Sequence, residues 1–388
     1  MRLPLYSLLG LLGLSNLVLG KALDNVFKVK KGTTLGGCDN YRTGQVNANL
    51  DAYFEEAQTI IKTASDAFGK YNTDVQVQKI AKSFFGITPN AKQDGPATTE
   101  DGNLLKHVQT WFVNLDNYAQ GRSGKIPLYC NSDFLEQTTT VYTKGGTVRK
   151  NLVVSDDKAY GKMVPELKTK QYVAFWSRDL KEYYFGTPYT TKPPTYCADR
   201  RNIAVVTPMS TGKESISLCL CPAGFFNKAN TLEAIDATNS DIGHALQKLE
   251  TKSLSIVHEL VHASEGPYET PDINAWGPLA SIKPKIKGQP NPNWPGDTDK
   301  FVDMDREAYS AMDAILTAQA TNPRQPTENT PENYAWAALA VYLAQNGAKM
   351  DYSTGLARPL GGPLVPPAPG GKKLRRDDGI VVAQNFTA

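Results

Sequence analysis

Histidine is scarce in this chain: there are four in 388 residues, so two at ligand spacing stand out. Charge of one sign is lacking as well. The 42 basic and 39 acidic residues leave a net charge of +3, which creates no strong field for nucleic acid or an anionic membrane. Neither is expected as a partner. A phosphate cradle is missing, because Thr211-Gly212-Lys213-Glu214 has neither the glycine spacing nor the hydroxyl of a P-loop. No cysteines form a CxxC pair, which argues against a cysteine-held zinc. Internal repeats are absent, and so are long apolar runs beyond the first twenty-odd positions.

That first run has a direction. Arg2 precedes the leucine-rich stretch Leu3 to Leu19, and the small residues Gly20 and Ala22 follow. It reads as a secretory signal over residues 1–20, with cleavage after Gly20 or Ala22. A membrane anchor needs about twenty apolar residues, and Ser7, Ser15 and Asn16 interrupt a shorter stretch. Five cysteines suit an oxidising, extracellular destination and leave one over. Connectivity does not follow from sequence. The pairing taken as the expectation is Cys38–Cys130 and Cys197–Cys221, with Cys219 free. Cys219 and Cys221 are expected to point to opposite faces of a strand, so that only one suits a given partner.

Two of the four histidines fall in His258-Glu259-Leu260-Val261-His262. Residues four apart share one face of an α-helix, so two imidazoles there can grip one Zn²⁺ ion. The glutamate beside the first histidine can reach a water at that ion as general base. A helix is expected from a cap at Asn239 or Asp241, through Ala245–Glu250, to a stop at Gly266-Pro267. Leu254, Ile256, Val257, Leu260 and Val261 make the motif turn apolar nearly all round, which predicts a buried helix. His107 and His244 each stand alone and read as structural or surface residues.

Helical periodicity is predicted over about 46–68, 75–86, 99–118, 304–320 and 331–346. Period-two or short apolar runs predict strands at Ile126–Tyr129, Val141–Tyr142, Tyr172–Phe175, Ile203–Val206 and Ser215–Leu220. Helices flanking a small sheet give an α+β domain over about 38–346. Residues 21–37 read as a short lead or propeptide, with Lys30-Lys31 as a processing site. Residues 278–298 read as a proline-rich loop, and 347–388 as a disordered Pro/Gly-rich tail carrying Lys372-Lys373-Leu374-Arg375-Arg376. Asn385 heads the one glycosylation sequon.

With these stretches placed, the chain resembles the aspzincin metalloendopeptidases, the fungal deuterolysin and peptidyl-Lys metallopeptidase relatives. Four segments carry the likeness: the HELVH helix; Thr270-Pro271-Asp272-Ile273-Asn274-Ala275-Trp276-Gly277, similar to the family's GTxDxxYG; Asn333-Tyr334-Ala335 opening a closing helix; and Leu218-Cys219-Leu220-Cys221-Pro222-Ala223-Gly224-Phe225-Phe226 before the motif helix. The resemblance implies a zincin-like fold with N-terminal helices, a small sheet, the HExxH helix and C-terminal helices. It implies one zinc held by His258, His262 and Asp272, with Glu259 as base. Three protein ligands also fit a catalytic zinc, which keeps a fourth position open. Glu307, placed on the 304–320 helix, is the rival third ligand; its other reading is an ion pair or a partner orienting a ligand. The chain departs from the family where Ala275 stands for the tyrosine that helps hold the oxyanion. Trp276, Tyr268 and Tyr309 are the substitutes on offer. Asp297, Asp299, Asp303 and Asp305 read as a solvated loop with acids at a helix start, against a pocket for basic side chains.

The expected function is therefore a secreted, monomeric zinc endopeptidase acting on proteins or peptides. The alternative is a secreted binding protein of the same fold whose catalysis is weakened or lost.

Overall fold

Asn49, Asp74 and Thr98 open the first three long helices, Leu50–Phe68, Val75–Phe85 and Thr99–Ala119. Their side-chain oxygens accept from Ala52 N, from Gln76 and Val77 N, and from Asp101 N. These caps satisfy donors that have no partner inside a helix. The computed structural model describes residues 23–360 apart from 43–47, 144, 159, 161–165, 187, 189–194, 200–201, 209–215, 227–228, 237–241, 268, 279–284, 287–288, 291–300, 321–323 and 347–348. The signal segment, Tyr268, Asp297, Asp299, most of the proline-rich loop, Asn385 and the basic tail lie outside the described residues.

The chain is α+β. Four strands form the main sheet in the order Lys28–Val29, Pro127–Tyr129, Ile216–Leu220, Ala204–Pro208. The first three run parallel and the last antiparallel, so Ala204–Pro208 is an edge strand. A three-stranded sheet (Leu135–Thr138, Val173–Ser177, Glu182–Gly186) and the pair Thr140–Tyr142 with Val148–Val153 lie between the second and fourth of these in sequence. They share a small core of Val141, Val154, Ala174, Trp176 and Tyr183. The motif helix, Lys252–Glu265, packs against the edge strand, the first and third long helices and the closing helix Pro331–Gln345. That closing helix is buried from Pro331 to Ala344, as a helix apolar on every side must be.

Several boundaries differ from the sequence expectation. Leu23, Val26 and Phe27 are buried and Lys28–Val29 pairs with Pro127–Leu128; of the expected 21–37 lead, the described part from Leu23 contributes to the core and the sheet. The motif helix begins at Lys252, not near residue 241. Leu246–Leu249 is a separate 3₁₀ turn. A bridge to Asn230 holds Thr251 extended, with Asn230 N donating to Glu250 O and Lys252 N to Asn230 O. Phe301–Glu307 is a strand antiparallel to Asn274–Pro278, and the helix after it spans only Ala311–Gln319, capped by Ser310. Asp303 is thus no helix-start acid; its carboxylate accepts from Asn274 Nδ2. Packing also runs past residue 346: Met350–Asp351 pairs with Arg358–Pro359, and Tyr352 and Ala357 are fully buried.

The last hairpin is tied to the second helix by an ion pair. Lys79 Nζ lies 3.1 Å from Asp351 Oδ2, with both side chains under a tenth exposed, and Gln76 Nε2 donates to Asp351 Oδ1 at 2.6 Å. Burial pushes the Asp351 carboxyl up, but Ser353, Gln76 and Lys79 together hold it below the ordinary 3.8. A depressed carboxyl stabilises above its unfolded value, and that contribution is lost as pH falls through the folded value. Asp351→Ala removes one partner of a buried pair and is expected to cost about 3–5 kcal/mol. Urea unfolding checks it, and a change under about 1 kcal/mol, the range of surface pairs, would count against a buried latch.

Both expected disulfides are present, Cys38–Cys130 and Cys197–Cys221, and Cys219 is free and buried. The opposite-faces expectation fails, because residues two apart share a strand face. Cys219 Sγ lies 3.7 Å from Cys197 Sγ. No helix among the described residues is long and apolar enough to cross a membrane.

Candidate metal centre

His258 and His262 project from one face of the motif helix, and their rings stand 5.0 Å apart. After the helix the chain turns at Gly266, whose φ of 94° is a conformation that side-chain-bearing residues rarely adopt. The turn brings Thr270 and Asp272 back to the helix. His258 Nε2 lies 3.4 Å from Asp272 Oδ1, and His262 Nε2 lies 3.6 Å from the same oxygen. The three ligand atoms all fall within 4.8 Å of one another.

The outer ring nitrogens are engaged elsewhere. His258 Nδ1 donates to Glu332 Oε2 at 2.8 Å. His262 Nδ1 lies 2.8 Å from Thr270 Oγ1, and Thr270 gives its own proton to Gly266 O at 2.8 Å. Thr270 must therefore accept from His262 Nδ1–H. With these Nδ1 atoms fixed as donors, it is Nε2 of each ring that faces Asp272 and would ligate a metal once deprotonated. Glu332 is itself fixed, since Trp336 Nε1 donates to its Oε1 at 2.5 Å.

Charges shape the same cluster. Burial pushes the His258 imidazole down, but the Asp272 and Glu332 carboxylates outweigh it and hold the ring well above its usual value. Burial would raise Asp272, yet the two imidazoles drive its carboxyl far below the usual range. Glu259 is raised, first by burial and then by Asp272, against the pull of both imidazoles and a hydrogen bond from the Val206 backbone. Its Oε2 has no hydrogen-bond partner among the protein atoms.

This donor set fits zinc. Two neutral imidazole nitrogens and a carboxylate oxygen are a catalytic zinc set. Ligands about 2.1 Å from a tetrahedral ion stand about 3.4 Å apart, close to the 3.4 and 3.6 Å found. The side chains of His258 and His262 are 12% and 10% exposed, whereas Asp272 is 33% exposed. The cluster is thus backed by protein and open on the Asp272 side.

Glu307, the rival ligand, stands on the strand opposite Asn274, is exposed, and accepts from the Tyr309 hydroxyl. It does not join the group formed by the two imidazoles and Asp272. Among the oxyanion substitutes, Trp276 is half-buried opposite Asp303, and its backbone N–H donates to Thr317 Oγ1. Tyr309 comes nearer the site: its ring centroid is 6.2 Å from that of His258, and burial and the Asp272 charge raise its phenol. His107 packs at a tilt against Trp111, and the His244 backbone carbonyl accepts from Ala357 N.

Three residues of the site were not anticipated. Glu332 has a sequence signal, as the one charged residue in Pro331–Gln345. Thr270 heads the segment similar to GTxDxxYG, two residues before Asp272, but no role had been expected of it. Tyr196 is placed by the Cys197 tether; its hydroxyl donates to Ala204 O at 2.9 Å, and after burial the Glu259 charge does most to raise it. Compared with protein-family models, curated proteins and solved structures, the chain matches none of them.

Proposed function

We propose that this chain is a secreted zinc-dependent endopeptidase of the aspzincin type. One observation carries the reading: both Nε2 atoms of the HELVH helix lie 3.4 and 3.6 Å from a single Asp272 oxygen. Two disulfides and the signal-like N-terminus support export. Zinc bound by His258, His262 and Asp272 would polarise the scissile carbonyl and lower the pKa of a water. Glu259 takes the proton of the attacking water and passes it to the leaving amine. Glu332 and Thr270 keep both imidazoles in the ligating tautomer. Tyr309, held protonated by its surroundings, would serve the developing oxyanion in place of the absent family tyrosine by turning its hydroxyl away from Glu307. An extended substrate pairs along the edge strand Ala204–Pro208, against which the motif helix packs.

Chelation followed by dialysis is expected to abolish cleavage of an unfolded protein substrate, and one equivalent of zinc to restore it. Cleavage that survives complete removal of metal would sink the proposal. The second reading, a binding protein without turnover, rests on the fully buried Ala275 at the family's tyrosine position. It predicts bound zinc and no cleavage of any unfolded protein.

Glu332→Gln tests the outer support. It keeps the shape but weakens the hold on His258, and a loss of about 10–100-fold in zinc affinity is expected. Competition with a chromophoric chelator measures it; wild-type affinity would show that Glu332 serves packing alone.

A further inference from the structure

Behind the candidate centre, three sulfurs share one cluster. Cys219 lies on the strand that pairs with the edge strand, Cys221 follows directly after its last residue Leu220, and both reach Cys197. Cys197–Cys221 is bridged, while the buried Cys219 thiol lies 3.7 Å from Cys197 Sγ. All three sulfurs fall within 4.8 Å of one another. Cys197 is half-buried, whereas Cys219 and Cys221 are buried, so Cys197 is the member of the cluster nearest solvent. Its neighbour Tyr196 bonds the first carbonyl of the edge strand, beside Glu259 and Asp272.

We propose that Cys197 has two disulfide partners, Cys221 and Cys219, and that exchanging one for the other resets Tyr196 at the mouth of the metal centre. The regulatory half rests on the endopeptidase reading; the linkage half does not. In the exchange Cys219 Sγ gives up its proton and bonds to Cys197 Sγ. The Cys197–Cys221 bond breaks, its electron pair leaves on Cys221 Sγ, and that sulfur takes up a proton. No oxidant or reductant is consumed.

The folded state holds the exchange in check. Burial pushes the Cys219 thiol far up, and only a thiolate attacks. The sulfurs are also bent away from a line: a bridge of about 2.05 Å added to 3.7 Å exceeds their 4.8 Å limit. A small thiol attacking Cys197 removes the second obstacle, after which Cys221, or Cys219 once it has lost its proton, can close the new bridge. Reclosure on Cys219 brings its sulfur from 3.7 Å to bonding distance of Cys197 Sγ, moves the attachment to the preceding residue on that strand face, and carries Tyr196 with it.

The test counts thiols. Oxidised wild-type, Cys219→Ser and Cys221→Ser proteins are acid-quenched, unfolded with an alkylating agent and peptide-mapped. One alkylated thiol is expected in wild type and none in either variant, with Cys197 bridged to Cys219 in Cys221→Ser. Two alkylated thiols in a folded Cys221→Ser protein would overturn the proposal. Should that variant fail to fold, wild type equilibrated in glutathione redox buffers serves instead: both linkages are expected, and Cys197–Cys221 alone at every ratio overturns it. On the regulatory half, kcat/KM of Cys221→Ser should differ at least tenfold from that of wild type, and an unchanged value removes it. A wild type that cleaves nothing refutes the endopeptidase reading, and with it the regulatory half, while the linkage map still decides the rest.

Discussion

Glu259→Gln is expected to lower peptide hydrolysis by about 10²–10⁴-fold while the zinc content stays at one ion per chain. The substitution is nearly isosteric. Its amide oxygen can still accept from the Val206 backbone, but no oxygen can take a proton from water. Neutral glutamine also spares the chain the cost of burying a carboxylate that burial already raises. Stability should therefore hold or improve, which separates lost chemistry from lost fold. The measurement pairs kcat/KM with metal analysis and a thermal melt. A variant that folds, binds zinc and cleaves at the full rate would end the general-base role.

Asp272→Ala is expected to cost zinc affinity more than the roughly 10–100-fold of an outer-support change. Among the described residues Asp272 is the carboxylate that touches both imidazoles, so its loss leaves two ligands and an open face. Glu307→Ala is the control, because Glu307 stands apart with Tyr309; wild-type zinc affinity is expected there. The reverse pattern would hand the third position to Glu307. Acid should weaken zinc binding in the wild type. His258 carries a raised pKa in the metal-free chain, so its proton is fully in place below that value and must leave before the ring can ligate. Isothermal titration in buffers of different ionisation enthalpy would register the released proton.

Local signals were readable in the sequence; distant partnerships were not. Val75–Phe85 and Pro331–Gln345 show apolar periodicity or an unbroken apolar run between a cap and a stop, and both fall where expected. Phe301–Glu307 was misread because its alternating acids precede an apolar helix and mimic a helix start. Its pairing strand lies across residues 279–300, a separation that no local pattern reports. The same limit governs the site. His258, Glu259 and His262 announce themselves through helical spacing, and Asp272 through resemblance. Glu332 reaches His258 only because the closing helix lies against the motif helix. Tyr196 arrives through a disulfide that spans 24 positions.

The turn at Gly266 makes two contacts depend on one short loop. Thr270 orients the second imidazole, and two residues later Asp272 closes on both rings. A loop that swings away takes both with it, and a loop that returns restores both. Half-built versions of the centre would thereby be kept rare, and on the zinc reading capture of the ion would be a single cooperative event coupled to the placement of that loop.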